Sequence, residues 1–324
     1  MAAQEWSIDG PRVLDIGDEH EQVRNLQVGM VAGRVDVVTH DDSPTARVEV
    51  TQVEGLPVRV RWDGGTLRVI HGKDDDANLV DMLKKTLGSF GRNRAVISIS
   101  VPVATRASVS TVSAAAVVSG VHDKVTVNTV SGAVILNDVV GAIDLNTVSG
   151  AVEGDDLAGP TSVNTVSGAV TLQGSRLPSV DANTVSGDIA LDLTSGASRI
   201  SSNSVSGNVT VRAPLGGFDI EGHTATGQVI VDGRILPKAG HNGFGGHGKG
   251  GRLMEGDGAL KVTASAVSGS IVVLRSTTPP SPGAGTPQDR PPTAPAAPQD
   301  SPPEAYRPSA PPSDQPADSG TDRP

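Results

Sequence analysis

The residues whose types and spacing could do chemistry gather first in a glycine-rich stretch. Gly243 to Lys249 satisfies Gly-x4-Gly-Lys, the outline of a loop whose backbone N–H groups cradle phosphates. That chemistry also needs a hydroxyl residue after the lysine, a strand before the loop and a helix behind it. Position 250 is glycine, and Arg252 to Gly256 is too short for a helix, so nucleotide binding is not expected. His241, His247 and Asp257 are potential metal ligands in the same stretch, but mostly glycine lies between the histidines and fixes no geometry; they read as solvated loop side chains. Asp74, Asp75 and Asp76 lack the glycine and terminal glutamate spacing of a calcium loop and read as a turn leading into a helix. Asp144, Asp155, Asp156, Asp181, Asp188 and Asp192 could supply the paired carboxylates of a polysaccharide-cleaving enzyme. They recur at no common position and no basic residue recurs beside them. The expectation is therefore no catalytic residue, no metal site and no cofactor.

The elements that would position such groups are set by a repeat. Asn128 to Val134 reads Asn-Thr-Val-Ser-Gly-Ala-Val, and near-copies follow. The motif glycines fall at Gly132, Gly150, Gly168, Gly187, Gly207 and Gly227, in steps of 18, 18, 19, 20 and 20, with a last copy at Gly269, another 42 on. A short fixed period in a Val- and Thr-rich chain predicts an all-β, single-stranded β-solenoid (β-helix) with coils of about 18–20 residues, each burying its apolar face only when its neighbours stack on it. Alternation in Ile143-Asp144-Leu145 and Val170-Thr171-Leu172 gives each coil two short strands, one on either side of Ser-Gly. Ser-Gly is then the corner, where glycine is expected for a left-handed bend. A second bend falls where the spacing varies, as at Leu157 to Pro160 and Pro214 to Gly217. Asn128, Asn146, Asn164, Asn183 and Asn203 recur at one position, with threonine next to all but the last, so amide and hydroxyl ladders along the axis are expected as frame rather than site.

The solenoid should occupy residues 1–275, with irregular coils over 6–102, regular Thr-Val-Ser-Gly coils over 111–275 and a glycine-rich loop at 238–258. Leu79, Val80, Met82, Leu83, Leu87 and Phe90 keep helical spacing, predicting a short helix within 76–92 packed on the solenoid's flank. Residues 276–324 hold 15 of the 23 prolines and predict a disordered tail. The formal charge of −10 disfavours a nucleic-acid partner. The absence of cysteine excludes a disulfide framework. Met1 to Asp18 lacks the basic start and apolar run of a secretory signal, and no stretch has the length of a transmembrane helix, so a cytoplasmic location is expected, with cell-surface placement requiring non-classical export.

The Thr-Val-Ser-Gly copies, together with the Leu26 to Val37 opening, the Val101-Pro102 step and the glycine-rich loop before the last Val-Ser-Gly, resemble the bacterial "putative adhesin" family of adhesin-like β-strand-repeat proteins, in its soluble actinobacterial form. The resemblance spans roughly residues 6 to 275. It implies a β-helix-like fold without known catalytic residues. The expected function is a non-enzymatic scaffold or protein-interaction module engaging a protein partner. The alternative is cell-envelope adhesion or glycan binding, and a polysaccharide-active enzyme or a self-assembling filament protein ranks below both. Function is expected where coils differ: the second bends, the 75–94 insertion and the 238–258 loop.

Overall fold

The computed structural model describes residues 3–18, 21–72, 93–236 and 249–276. The helix expected within 76–92, the phosphate-loop pattern from Gly243 to Gly248, both loop histidines, Asp74 to Asp76 and the tail beyond Ser276 lie outside them. The final strand, Ile271–Ser276, runs one residue past the expected end of the ordered domain.

The described residues from Gln4 to Ser276 form two sheets of thirteen strands each. In spatial order the first holds Gln4–Ile8, Val58–Asp63, Thr66–His71, Asn25–Met30, Arg106–Thr111, Val125–Thr129, Ile143–Thr147, Thr161–Thr165, Ser179–Thr184, Ser198–Ser204, Leu260–Ala266, Phe218–Thr224 and Lys249–Glu255. The second follows it layer for layer: Arg12–Ile16, Ala46–Glu54, Arg94–Pro102, Gly33–His40, Ala115–Ser119, Val134–Val140, Val152–Ala158, Val170–Ser175, Ile189–Leu193, Val209–Pro214, Ile271–Ser276, Val229–Val231 and Arg234–Ile235. From Arg106 to Pro214 each coil gives one strand to each sheet and stacks in parallel on the coil before it.

Alternation decides which side chains meet between the sheets. Val109, Val127, Leu145, Val163 and Ala182 share one inward column, and Val118, Leu136, Leu172, Leu191 and Val211 lie in a column of the opposite sheet. All are buried, giving a core of aliphatic layers with few aromatics. Gly154 interrupts the second column, and Leu157 and Leu172 fill the space: an added Cβ would stand 2.6 Å from Leu157 Cδ1.

Sequence order and spatial order part at both ends. The coil Leu260–Ala266 with Ile271–Ser276, last in the chain, lies between the coil of Ser198–Ser204 and that of Phe218–Thr224. The outermost coil is then covered by antiparallel strands, Lys249–Glu255 and Arg234–Ile235. Part of the stretch read as a glycine-rich loop is therefore an edge strand. At the other end, Thr66–His71 and Arg94–Pro102 are inserted between the Asn25–His40 coil and the antiparallel strands Ala46–Asp63. A local repeat pattern predicts sequential stacking, because it carries no information on which of several similar coils takes which neighbour.

His71, on the inserted coil, is fully buried, and neither ring nitrogen makes a well-formed hydrogen bond. Burial lowers its pKa, against a smaller opposing pull from the backbone of Leu56 and Glu54.

Candidate functional site

The Ser-Gly corners stack into one edge of the solenoid, and four columns of side chains build it. The first is the amide ladder. Asn146, Asn164, Asn183 and Asn203 each donate Nδ2–H to Oδ1 of the preceding asparagine at 3.0–3.1 Å. Each interior rung keeps one N–H and one oxygen lone pair for solvent or a ligand.

The threonines differ from the expected axial hydroxyl ladder. Only Thr111 donates to the next threonine hydroxyl, that of Thr129. Thr129, Thr147, Thr165 and Thr184, with Ser204, turn inward and staple their own corners: the N–H of the glycine three residues on donates to the hydroxyl at 2.9–3.1 Å, and the hydroxyl donates to that glycine's carbonyl. Burial forces this arrangement, since a buried N–H without a partner is costly. The motif serines carry the axial bonds instead. Ser149, Ser167, Ser186 and Ser206 donate Oγ–H to the carbonyls of Val130, Val148, Val166 and Val185 one coil back.

The corner glycines differ from the expectation in their physical reason. None of Gly132, Gly150, Gly168, Gly187, Gly207, Gly227 and Gly269 has a left-handed φ. Successive glycines instead stack so closely that a Cβ on Gly150, Gly168 or Gly187 would stand 2.0 Å from the carbonyl oxygen of the glycine beneath. Coil-to-coil approach, rather than backbone handedness, excludes a side chain there.

In five successive layers the residue before the motif serine is a valine that faces outward, and sequence reasoning passed over it. Val148, Val166, Val185, Val205 and Val267 are 45%, 47%, 48%, 48% and 55% exposed. Successive strands are about 4.8 Å apart, so the five make a continuous aliphatic ridge about 19 Å long. Alternation from the outward Asn through the inward Thr was the signal that could have found them. Beside the amides and serines, the ridge gives an edge strip without charge except at Asp188, which accepts the Asn208 N–H at 2.7 Å.

The other candidates do not converge. Against the expectation that they share no coil position, Asp144 and Asp181 stand in one outward column of the first sheet, two coils apart with Ser162 between them. Asp155 and Asp192 face outward from the second sheet, while Asp188 is at a corner and Asp156 lies within Val152–Ala158. Asp144 is held by Lys124 at 2.6 Å and Asp192 by Arg212 at 3.5 Å. Asp257, near the loop histidines in sequence, accepts from the Ala259 N–H at 3.3 Å. Among the described residues, no group of three His, Asp or Glu could hold a metal ion. Within the strands Val134–Val140 and Val152–Ala158, Asp138 and Asp156, 18 residues apart, both adopt left-handed backbone, with φ of 50° and 51°. A shallow depression of about 380 Å³ lies on the second sheet, lined by Ile135, Asn137, Glu153, Asp155, Thr171 and Gln173. No helix among the described residues is long and apolar enough to cross a membrane.

Two solved structures are similar over most of their lengths. A putative lipid binding protein from Parabacteroides distasonis is 18% identical, with 82% of this chain and 96% of that chain covered, at a TM-score of 0.46. A putative cell adhesion protein from Clostridium sporogenes is 11% identical over 82% of this chain and all of the other, at a TM-score of 0.24. No curated protein matches the chain. The family model described as Toastrack DUF4097 matches residues 31–273, from the corner of the Asn25–His40 coil to the last strand of the intercalated one, and the chain belongs to that family.

Proposed function

We propose that this protein is a non-enzymatic binding scaffold whose recognition surface is the uncharged edge strip of stacked valines and asparagine amides. The five half-exposed valines carry the reading. Exposed aliphatic residues in a contiguous row mark interaction surfaces more often than scattered ones do. Here the backbone beneath them is fixed by bonds in every coil, so little conformational entropy is lost on docking. The partner is a protein with a complementary apolar groove, met in the cytoplasm. The carboxylates, divided between the outer faces of the two sheets and the bends, support a binding role over a catalytic one.

The test is a pair of oppositely charged substitutions on the ridge, Val148→Lys with Val166→Glu. Both sites are half-exposed and neighbours along the axis, so the opposite charges face each other and the fold is kept. Affinity capture from the native cell should lose its specific partner while the melting temperature stays near that of the parent. Undiminished capture by the folded variant would refute the strip as the recognition surface.

The amide ladder favours a second reading. Its free N–H and carbonyl groups, about 4.8 Å apart along the axis, suit the hydroxyl groups of an extended glycan at the cell envelope. Retention on immobilised polysaccharide that is lost in Asn146→Ala with Asn164→Ala would favour glycan over protein.

A further inference from the structure

On the outer face of the first sheet, near its N-terminal end, two arginines stand directly across from one another. The hairpin that turns at Gly64-Gly65 pairs Arg61 with Arg68 in register. Their neighbours Val60, Trp62, Leu67 and Val69 point into the core, so both guanidinium-bearing side chains leave on the solvent side. Both residues are partly buried, and neither makes a hydrogen bond or ion pair among the described residues.

Like charges directly opposite on a sheet destabilise it. On this sheet Arg199 also stands across from Lys261, but both are exposed and Lys261 faces Asp219 on its other side. Elsewhere basic residues meet carboxylates. On the second sheet Arg212 stands in register with Asp192 and pairs with it at 3.5 Å. At the far end of the first sheet Arg252 grips Asp219 with two bonds of 2.7 Å. The row through Arg61 and Arg68 has no such partner. Gln27 lies beyond Arg68, and Glu5, in register beyond Arg61, is exposed and forms no ion pair with it. A chain of net charge −10 thus holds, on one hairpin, two adjacent guanidinium groups that make no ion pair among the described residues, with Glu5 as the one carboxylate in their row.

We propose that Arg61 and Arg68 form a binding site for a phosphoryl oxyanion, with Gln27 positioned to add an amide donor. Guanidinium groups present forked donors that match the oxygens of a phosphate, and two of them offset its charge where a single exposed one would be screened. The cross-strand register fixes their Cα atoms about 5 Å apart, which lets both reach one phosphoryl group. The site is distinct from the valine and amide strip. Its ligand is a phosphate group, free in solution or carried by a lipid headgroup.

The experiment measures the melting temperature of the full chain against inorganic phosphate, with chloride at matched ionic strength as the control. Co-sedimentation with phosphatidylcholine vesicles, with and without phosphatidylglycerol, runs beside it. Parent protein should be stabilised saturably by phosphate or retained by the anionic vesicles alone. Phosphate without vesicle binding assigns a soluble ligand, and vesicle without phosphate binding a lipid headgroup; either supports the site. Arg61→Gln and Arg68→Gln should each weaken binding about tenfold, the loss expected when one of two charge-assisted partners is removed. Without ligand, neither variant should melt below the parent, because each relieves a like-charge pair. The proposal is overturned if neither probe binds, if both variants bind as the parent does, or if the unliganded variants melt well below it, which would make the arginines structural. Val148→Lys with Val166→Glu should leave phosphate binding unchanged, separating this site from the strip.

Discussion

Gly168→Ala tests the frame at its tightest point. The added Cβ would stand 2.0 Å from the Gly150 carbonyl oxygen and 2.9 Å from its carbon. A carbon in weak C–H···O contact sits about 3.3 Å from the oxygen, so the two coils must separate locally by about 1.3 Å. They are held there by the Ser167 N–H to the Val148 carbonyl at 2.8 Å and the Val152 N–H to the Ala169 carbonyl at 2.9 Å. A separation of that size breaks both, and buried backbone groups left unpaired cost about 1–2 kcal/mol each. Overpacking strain of about 1–3 kcal/mol adds to this, giving a destabilisation of about 3–7 kcal/mol. Gly196→Ala is the control: nothing lies within 4 Å of its Cβ and its φ is not left-handed, so its effect should stay within about 0.5 kcal/mol. Urea unfolding followed by circular dichroism gives both values, and hydrogen exchange locates the opening. A third variant separates the two physical reasons for glycine. If handedness governed the corner, Gly168→Asn would be milder than Gly168→Ala, since asparagine tolerates left-handed backbone. Close approach predicts that asparagine is at least as harmful. A mild Gly168→Ala, or an asparagine variant more stable than the alanine one, would refute the close-approach reasoning.

Other expectations follow from particular contacts. Thr165→Val removes the acceptor of the Gly168 N–H and leaves that donor buried, so it should destabilise by about 1–3 kcal/mol in chemical denaturation, whereas Asn164→Ala on the exposed ladder should cost about 1 kcal/mol or less. His71 should make stability pH-dependent. Its folded pKa lies below the unfolded value near 6.5, so the unfolded chain binds the proton more readily: stability is complete above that value and declines as pH falls towards the lowered pKa. Melting temperatures between about pH 7 and 5 should drop in the parent and vary less in His71→Leu. Arg275 joins Asp232, Glu255 at 3.2 Å and the Phe218 ring at 5.0 Å, tying the intercalated coil to both capping segments. Arg275→Ala should therefore raise hydrogen exchange in Phe218–Thr224 and Lys249–Glu255 while leaving the coils of 106–193 protected.

Much of the frame was legible because its information is local. The period of the motif glycines, the inward Val and Leu positions and the Asn column can be read without knowing any long-range partner. What escaped depends on distance through space. Whether Gly150 needs freedom of φ or only the absence of a Cβ is settled by how near the Gly132 carbonyl comes, and a repeat does not state that distance. Thr147 and Ser149 are both hydroxyl residues one step from an outward valine, yet one faces the core and bonds within its corner while the other bonds along the axis. The valine ridge was within reach, since Asn-Thr-Val places the valine outward on simple alternation. Arg61 and Arg68 were also within reach: they are symmetric about Asp63-Gly64-Gly65-Thr66, whose paired glycines between alternating segments mark a tight turn. The order of coils at the two ends was not, because Ala266-Val267-Ser268-Gly269 and Thr224-Ala225-Thr226-Gly227 are equally good neighbours for Ser204-Val205-Ser206-Gly207 by sequence.

The placement of the last coil inside the stack bears on how such a chain grows, both during synthesis and over generations. A ribosome delivers Phe218–Thr224 before Leu260–Ala266, so the earlier segment must leave a vacant layer, or yield one, until the later segment arrives. Nucleation belongs to the middle coils, and closure waits for Ser276. A product ending at residue 259 would lack an interior layer rather than a terminal one. Duplication of a coil faces the same constraint. Between Arg106 and Pro214 one more repeat lengthens the stack without changing who neighbours whom, whereas at either end it would have to be threaded between strands that are already paired. The near-identical copies lie in that middle stretch, where lengthening is simplest.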